Sequence, residues 1–262
     1  MNIILFGDLR IATMVCRLLL MDSDVKIEAI VIGNAHPHDN DPFTNTPLLI
    51  DFANQNNLKT IRLDEIEQYF YPKSIDLGIS CRFSKIFKKE QINIFKKGII
   101  NFHGGLLPEF GGLYSSVHEL LEGSTYGGGT LHYINEKIDE GDIIRRCEFP
   151  ITEDDVGLTV FQKTQIALYE NFKELWPTIK DGSLKPIDPS ELIRKGYPKR
   201  YFDKNSLNGK REVNIDELVK GSENEINRIR AFEFANYEHA YFCINQKKIY
   251  LHYPHTNIVY NC

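Results

Sequence analysis

The residues able to do chemistry gather at Asn101-Phe-His103-Gly-Gly-Leu-Leu-Pro108. The apolar run Gly98-Ile-Ile100 leads into them and reads as a short buried strand. Asn101 and His103, two apart at a strand end, point to the same side of a sheet. The glycine pair and Pro108 then turn the chain away, so an amide and an imidazole stand together at an open edge. Farther on, Lys137-Ile-Asp-Glu-Gly-Asp142 is an acidic glycine turn between two strand-like runs. Amide, imidazole and carboxylate on separate turns are the parts of an acyl-transfer site. They supply a dipole for an oxyanion, a proton carrier and a group that orients it. The plainer alternatives are a satisfied core histidine and a turn asparagine bonded to its own backbone.

The elements that must hold these groups follow a βαβ rhythm. Asn2 to Phe6 reads as a strand, Ile11 to Met21 as a helix with one apolar face, and Lys26 to Ile32 as a second strand. That opening implies a right-handed crossover and a parallel sheet. Gly7 alone is no dinucleotide fingerprint, which leaves nicotinamide binding without support. Asn34 to Thr46 is a polar loop with His36, His38, Asp39 and Asp41, read as solvated rather than metal-binding. A helix from Thr46-Pro47 to about Asn56, a strand over Lys59 to Leu63, and a buried strand over Ile75 to Ser80 come next. Lys88 to Phe95 and Ser115 to Glu122 read as helices, Thr125 to Ile134 and Ile143 to Pro150 as hairpin partners. A long helix runs to about Lys180, with Pro177 expected to kink it or end it early. The predicted fold is α/β, a Rossmann-like, mostly parallel sheet with helices on both faces. A small C-terminal helix and β-hairpin module follows it, the hairpin spanning Ala240 to Ile244 and Lys248 to Leu251. The expected division is 1–184 catalytic, 185–214 linker and 215–262 C-terminal module.

The sequence N-F-H-G-G-L-L-P followed by I-D-E-G-D-I-I resembles the folate-dependent formyltransferases, tightly from about Gly98 to Glu148 and more loosely over most of the chain. That group includes methionyl-tRNA, glycinamide ribonucleotide and nucleotide-sugar N-formyltransferases. The resemblance implies 10-formyltetrahydrofolate as co-substrate and an amine as acceptor. Carried over by position, it makes Asn101, His103 and Asp139 catalytic, with Asp139 rather than Asp142 as the acid. It places the folate against the strand exit at Cys81, Arg82 and Phe83 and against Leu106, Ile138 and Asp142. Gly105, where the family has Ser, stands with Tyr114 and Ser115 as an acceptor contact, and Arg200 in Tyr197-Pro-Lys-Arg200 as a possible diphosphate contact.

The chain length and the C-terminal hairpin resemble the nucleotide-sugar enzymes. The favoured acceptor is dTDP-4-amino-4,6-dideoxyglucose, for O-antigen or other surface polysaccharide, in a homodimer joined through the C-terminal module. GDP-perosamine and the 3-amino isomer compete with it. Methionyl-tRNA, glycinamide ribonucleotide, water (a formyltetrahydrofolate hydrolase) and a non-catalytic nucleotide-binding module stand behind those. Acidic Glu109, where the tRNA enzymes carry basic charge, counts against a tRNA.

The totals agree with this class. The 262 residues suffice for one large core and an appendage. A net charge of −5 gives no broad footprint for nucleic acid. No apolar run is long enough to span a bilayer, and the opening strand leaves no targeting peptide apparent. Five cysteines, an odd number without metal spacing, read as free thiols in a reducing cytoplasm. No metal is expected.

Overall fold

The computed structural model describes residues 1–33, 40–235 and 237–260. His36, His38 and Asp39 of the polar loop, and Cys262, lie outside the described residues. The first half of the chain alternates strands and helices: β1 (Asn2–Gly7), α1 (Arg10–Leu20), β2 (Lys26–Ile32), α2 (Leu49–Gln55), β3 (Thr60–Ile61), α3 (Ile66–Tyr69), β4 (Leu77–Cys81), α4 (Lys89–Asn93) and β5 (Ile99–His103). Then come β6 (Gly111–Gly112), α5 (Ser115–Leu121), β7 (Tyr126–Tyr133), β8 (Ile143–Pro150), α6 (Gly157–Asp181), α7 (Pro189–Arg194) and β9 (Tyr201–Phe202). The chain closes with α8 (Ile215–Val219), α9 (Glu223–Ala231) and the hairpin β10 (Tyr241–Ile244) and β11 (Lys247–Tyr250).

The central sheet has the order β3-β2-β1-β4-β5-β7-β8. Its first five strands are parallel, and β7 and β8 add an antiparallel edge. This is the Rossmann-like sheet the βαβ rhythm predicts. Two apolar cores cover its faces. Ile100, Phe102, Leu131 and Ile79 meet α1 and α6 on one side, while Ile4, Phe6, Ile94, Phe95 and Ile99 pack on the other. Among the described residues no helix is long and apolar enough to cross a membrane.

Helix α6 runs through Pro177 without ending there. The missing N–H falls near the C-terminal end of the helix, and that end is anchored independently of the lost bond. Leu175, Trp176 and Ile179 are buried in the core, and Asp22 accepts hydrogen bonds from Trp176 Nε1 at 2.9 Å and Lys180 Nζ at 3.1 Å. Gly182 at φ 78° then closes the helix in the left-handed conformation.

The segment 185–214 carries structure of its own. It forms α7 and then β9, which pairs in parallel with Gly111 and Gly112 of β6. Asp188 caps α7 by accepting from Ser190 N–H at 2.8 Å. The C-terminal hairpin falls within a residue of its expected place.

Candidate active site

Strand period sets the site. Along β5, Ile100 and Phe102 face the core of α1 and α6, Phe102 with its ring 5.0 Å from Phe172. Asn101 and His103 therefore point to the opposite side. The register puts Ser80 of β4 and His132 of β7 on either side of Asn101. These three polar groups form a hydrogen-bonded row across the sheet. Ser80 Oγ donates to Asn101 Oδ1 at 2.9 Å, and Asn101 Nδ2 lies 3.1 Å from His132 Nε2. His132 Nδ1 lies 2.9 Å from the Tyr133 carbonyl, which can only accept. The proton is thus on Nδ1, Nε2 accepts from the amide, and the amide keeps its second N–H for another partner. Burial pushes the His132 imidazole down to about 4, with His103 nearby adding to the shift, so the ring stays neutral in this role.

His103 is fixed in the same way. Its Nε2 donates to the Phe110 carbonyl at 2.8 Å. Its Nδ1 faces Asp139 Oδ1 at 3.5 Å, within ion-pair range but beyond a hydrogen bond. His103 is buried, so both ring nitrogens are assigned by geometry rather than by solvent. Asp139 sits at the β7–β8 connection with φ 55°, a conformation aspartate tolerates better than most side chains. Its Oδ2 accepts from the Gly112 N–H at 2.8 Å, and its Oδ1 lies 3.8 Å from His132 Nε2. Asn101, His103 and Asp139 are brought together.

Two of the cavities near this cluster adjoin each other. The first, about 490 Å³, is lined by Asn101, His103, His132, Asp139, Phe83 and Ile138 among others. The second, about 320 Å³, lies between α5, α6 and the C-terminal module, with Tyr114, Ser115, Phe232 and Phe234 in its wall. Both are lined by Arg82, Gly112 and Leu113. Arg82 has φ 54°, and its guanidinium lies so close to Gly104 that a Cβ there would sit 2.1 Å from Nη1. Burial lowers its proton affinity while the charge of Asp139 opposes the shift. Its Nε is buried without a hydrogen-bond partner, a donor awaiting an acceptor at the seam of the two cavities.

The other expected contacts divide. Arg82, Phe83 and Ile138 line the first cavity, and Tyr114 and Ser115 line the second. Cys81 and Leu106 are buried and belong to neither wall, while the exposed Asp142 accepts the Tyr133 N–H through its backbone. Burial pushes the Cys81 thiol well above its ordinary value. Gly105 is also buried. A Cβ there would meet the Phe110 oxygen at 2.4 Å, so its smallness serves packing rather than contact with an acceptor. Arg200 donates to the Glu109 carbonyl at 3.2 Å, pairs with Glu122, and stacks over Phe110. It lines not the second cavity but a third, of about 230 Å³, together with Asp139 and Ile138, and it already has an anionic partner.

Glu109 is corrected most clearly. It is buried in a bidentate pair with Arg146, at 2.5 and 2.9 Å, so its charge is spent inside the protein. It says nothing about the acceptor. Sequence reading also passed over Ser80 and His132. The alternation of Thr130 and His132 on the strand facing Asn101 was a usable signal, because antiparallel neighbours share a face.

A sequence model described as formyl transferase matches residues 2–173. The chain belongs to the formyl transferase family. Within this family, the methionyl-tRNA formyltransferase of Geobacillus sp. (strain WCH70) is 37% identical over 135 residues, 50% of this chain and 42% of that protein. The methionyl-tRNA formyltransferase of Geobacillus thermodenitrificans is 32% identical over 180 residues, 67% of this chain and 53% of that protein. The chain spans about half the length of the curated relatives it matches. Among solved formyltransferases, the sugar 3N-formyl transferase WlaRD, crystallised in the presence of dTDP and 5-N-formyl-THF, superposes with a TM-score of 0.75 at 27% identity, covering 95% of this chain and 84% of that one. The N-formyltransferase of Helicobacter canadensis, in complex with folinic acid and dTDP-3-aminofucose, gives 0.72 at 25% identity, covering 95% and 85%. A 4-N formyltransferase from Francisella tularensis shares the fold, with a TM-score of 0.73 at 22% identity over 97% and 98% of the two chains.

Proposed function

We propose that this chain transfers a formyl group from 10-formyltetrahydrofolate to the amine of a dTDP-linked amino-dideoxy sugar. The observation that carries the reading is the pair of adjoining cavities that share Arg82, Gly112 and Leu113, with Asn101, His103 and Asp139 in the wall of the larger. One cavity takes the donor and the other the acceptor, so the two substrates meet at the trio. The orphaned Arg82 Nε and the apolar Phe83 and Ile138 suit a flat heterocycle with a polar edge. The solved relatives that hold dTDP or a dTDP-sugar together with a folate support the same division.

In this mechanism the acceptor nitrogen attacks the formyl carbon, and charge builds on the formyl oxygen. Asn101 donates its remaining N–H to that oxygen, held in place by Ser80 and His132. Losing one such donor typically costs on the order of 100- to 1000-fold in rate. His103 takes the amine proton on Nδ1, the nitrogen its bond to Phe110 leaves available. Asp139 stabilises the resulting imidazolium. The proton returns to the folate nitrogen as its bond to the formyl carbon breaks, and the formamide is released.

The favoured acceptor is dTDP-4-amino-4,6-dideoxyglucose, serving surface-polysaccharide synthesis. The 3-amino isomer is the second reading, because two solved relatives, at 25% and 27% identity, are described with 3-amino chemistry. We further propose a homodimer through the C-terminal hairpin, whose Ile244, Ile249 and Tyr250 are exposed. The test incubates purified protein with 10-formyltetrahydrofolate and separate acceptors: dTDP-4-amino, dTDP-3-amino and GDP-amino sugars, and methionyl-tRNA. Mass spectrometry is expected to find one added formyl group on a dTDP-amino sugar. Formylation of methionyl-tRNA alone, or folate turnover without acceptor, would overturn the reading.

A further inference from the structure

Away from the cavities, three side chains converge where the C-terminal module closes. Glu233 lies just past α9, His239 just before β10 and His252 just after β11. His239 Nδ1 is 3.6 Å from Glu233 Oε2, and His252 Nδ1 is 3.5 Å from the same oxygen. The three donor atoms all lie within 4.8 Å of one another. The imidazole centroids are 4.2 Å apart at 56°, so the rings splay about the carboxylate rather than stack. The Tyr253 N–H donates to Oε2 at 2.9 Å and holds the buried carboxylate still. His239 Nδ1 is buried without any hydrogen-bond partner, although a carboxylate faces it. A buried polar atom in that state calls for an explanation.

We infer that Glu233, His239 and His252 bind one divalent first-row transition ion, with zinc as the best fit. Two imidazoles and a carboxylate form an N/O donor set of the kind zinc takes, whereas calcium and magnesium favour oxygen alone. Bonds of about 2.0–2.1 Å in a tetrahedral zinc site place ligand atoms roughly 3.3–3.4 Å apart. The two carboxylate–imidazole separations need to close by only a few tenths of an ångström, and the imidazole nitrogens lie within 4.8 Å of each other. Three protein ligands leave a fourth position, and the exposed His252 ring gives the ion a way in.

The location gives the ion a job. The Glu233 carbonyl accepts the Leu158 N–H at the start of α6. Phe234, Tyr237 and Glu238, between the first two ligands, line the second cavity. An ion here ties both ends of the hairpin to that cavity wall. The inference stands apart from the choice of acceptor, because it is read from metal binding and not from turnover.

The test strips the full chain with a chelator, desalts it and titrates it with zinc chloride. Wild type is expected to bind one zinc per chain and to gain thermal stability on binding. His239→Asn and His252→Asn are each expected to weaken binding by at least roughly 100-fold, since even groups that only hydrogen-bond to metal ligands cost roughly 10- to 100-fold. His255→Ala, an exposed histidine outside the cluster, is expected to bind as wild type. His252→Asn decides the matter if His239→Asn does not fold, because the His252 ring is largely in solvent. No zinc at unit stoichiometry, or equal affinity in wild type and His252→Asn, would overturn the site.

Discussion

His103 Nδ1 faces Asp139 Oδ1 at 3.5 Å, while the opposite nitrogen of the same ring donates to the Phe110 carbonyl. One imidazole edge is thus committed to the backbone, and the other is turned toward the carboxylate. His103→Ala is expected to leave folding intact and to reduce formyl transfer on the order of 100- to 10,000-fold. Asp139→Asn keeps the shape and removes the charge, so it is expected to lower turnover while KM changes little. Steady-state kinetics beside far-UV circular dichroism check both. Near wild-type turnover in folded His103→Ala would remove the imidazole from the mechanism.

Gly105 shows how packing reaches the chemistry. The Phe110 oxygen that a Cβ would strike at 2.4 Å is the oxygen that orients His103. Gly105→Ala is therefore expected to displace that carbonyl and cost turnover as well as stability. Gly182→Ala serves as the comparison. A Cβ there meets nothing within 4 Å, and φ 78° confines the penalty to backbone strain. Equal kcat in the two variants would contradict the coupling.

The Glu109–Arg146 pair predicts an asymmetry. Arg146→Ala leaves a buried carboxylate without its cation and is expected to cost about 3–5 kcal/mol. Glu109→Gln is expected to cost less, because Glu148 still sits 2.7 Å from Arg146 Nε. Urea unfolding of both variants measures the difference. A larger loss in Glu109→Gln would show that the glutamate acts through something other than this pair.

The buried imidazoles set an acid limit on stability. Burial pushes both His132 and His118 down to about 4. In the unfolded chain an imidazole titrates near its ordinary value of 6.5. Between about pH 6.5 and 4 the unfolded chain binds more protons than the folded one, so stability falls as pH falls. From pH 7.5 to 5.5 the loss is expected to be about 1 kcal/mol per histidine. His118→Phe, which keeps the stack on Phe202 at 3.8 Å, is expected to flatten the profile by its share. Unfolding free energies that do not change between those pH values would refute the assignment.

The parallel sheet and the Asn101–His103 pairing were legible because strand period is local: two residues apart means one face. The hairpin was legible for the same reason. What the sequence hid depended on partners far along the chain. Glu109 looked like a surface acid until Arg146, on β8, was seen to meet it. Arg200 looked free until Glu122 was seen beside it. His132 drew no notice because its value lies in a register, Asn101 against His132, that exists only once β5 and β7 pair. Pro177 did not end α6, since propensity weighs little against Leu175, Trp176 and Ile179 in the core.

The pairing of β6 with β9 bears on how this molecule can be cut. The Gly112 amide that moors Asp139 lies in that ladder, and Leu113 N–H donates to the Phe202 carbonyl at 2.8 Å. A shortened version ending near residue 184 would keep every strand of the large sheet and lose the β9 strand that backs the Gly112 amide holding its acid. Anyone trimming the chain for expression, or grafting the Asn101, His103 and Asp139 cluster onto another scaffold, has to carry the stretch through Phe202 along with it.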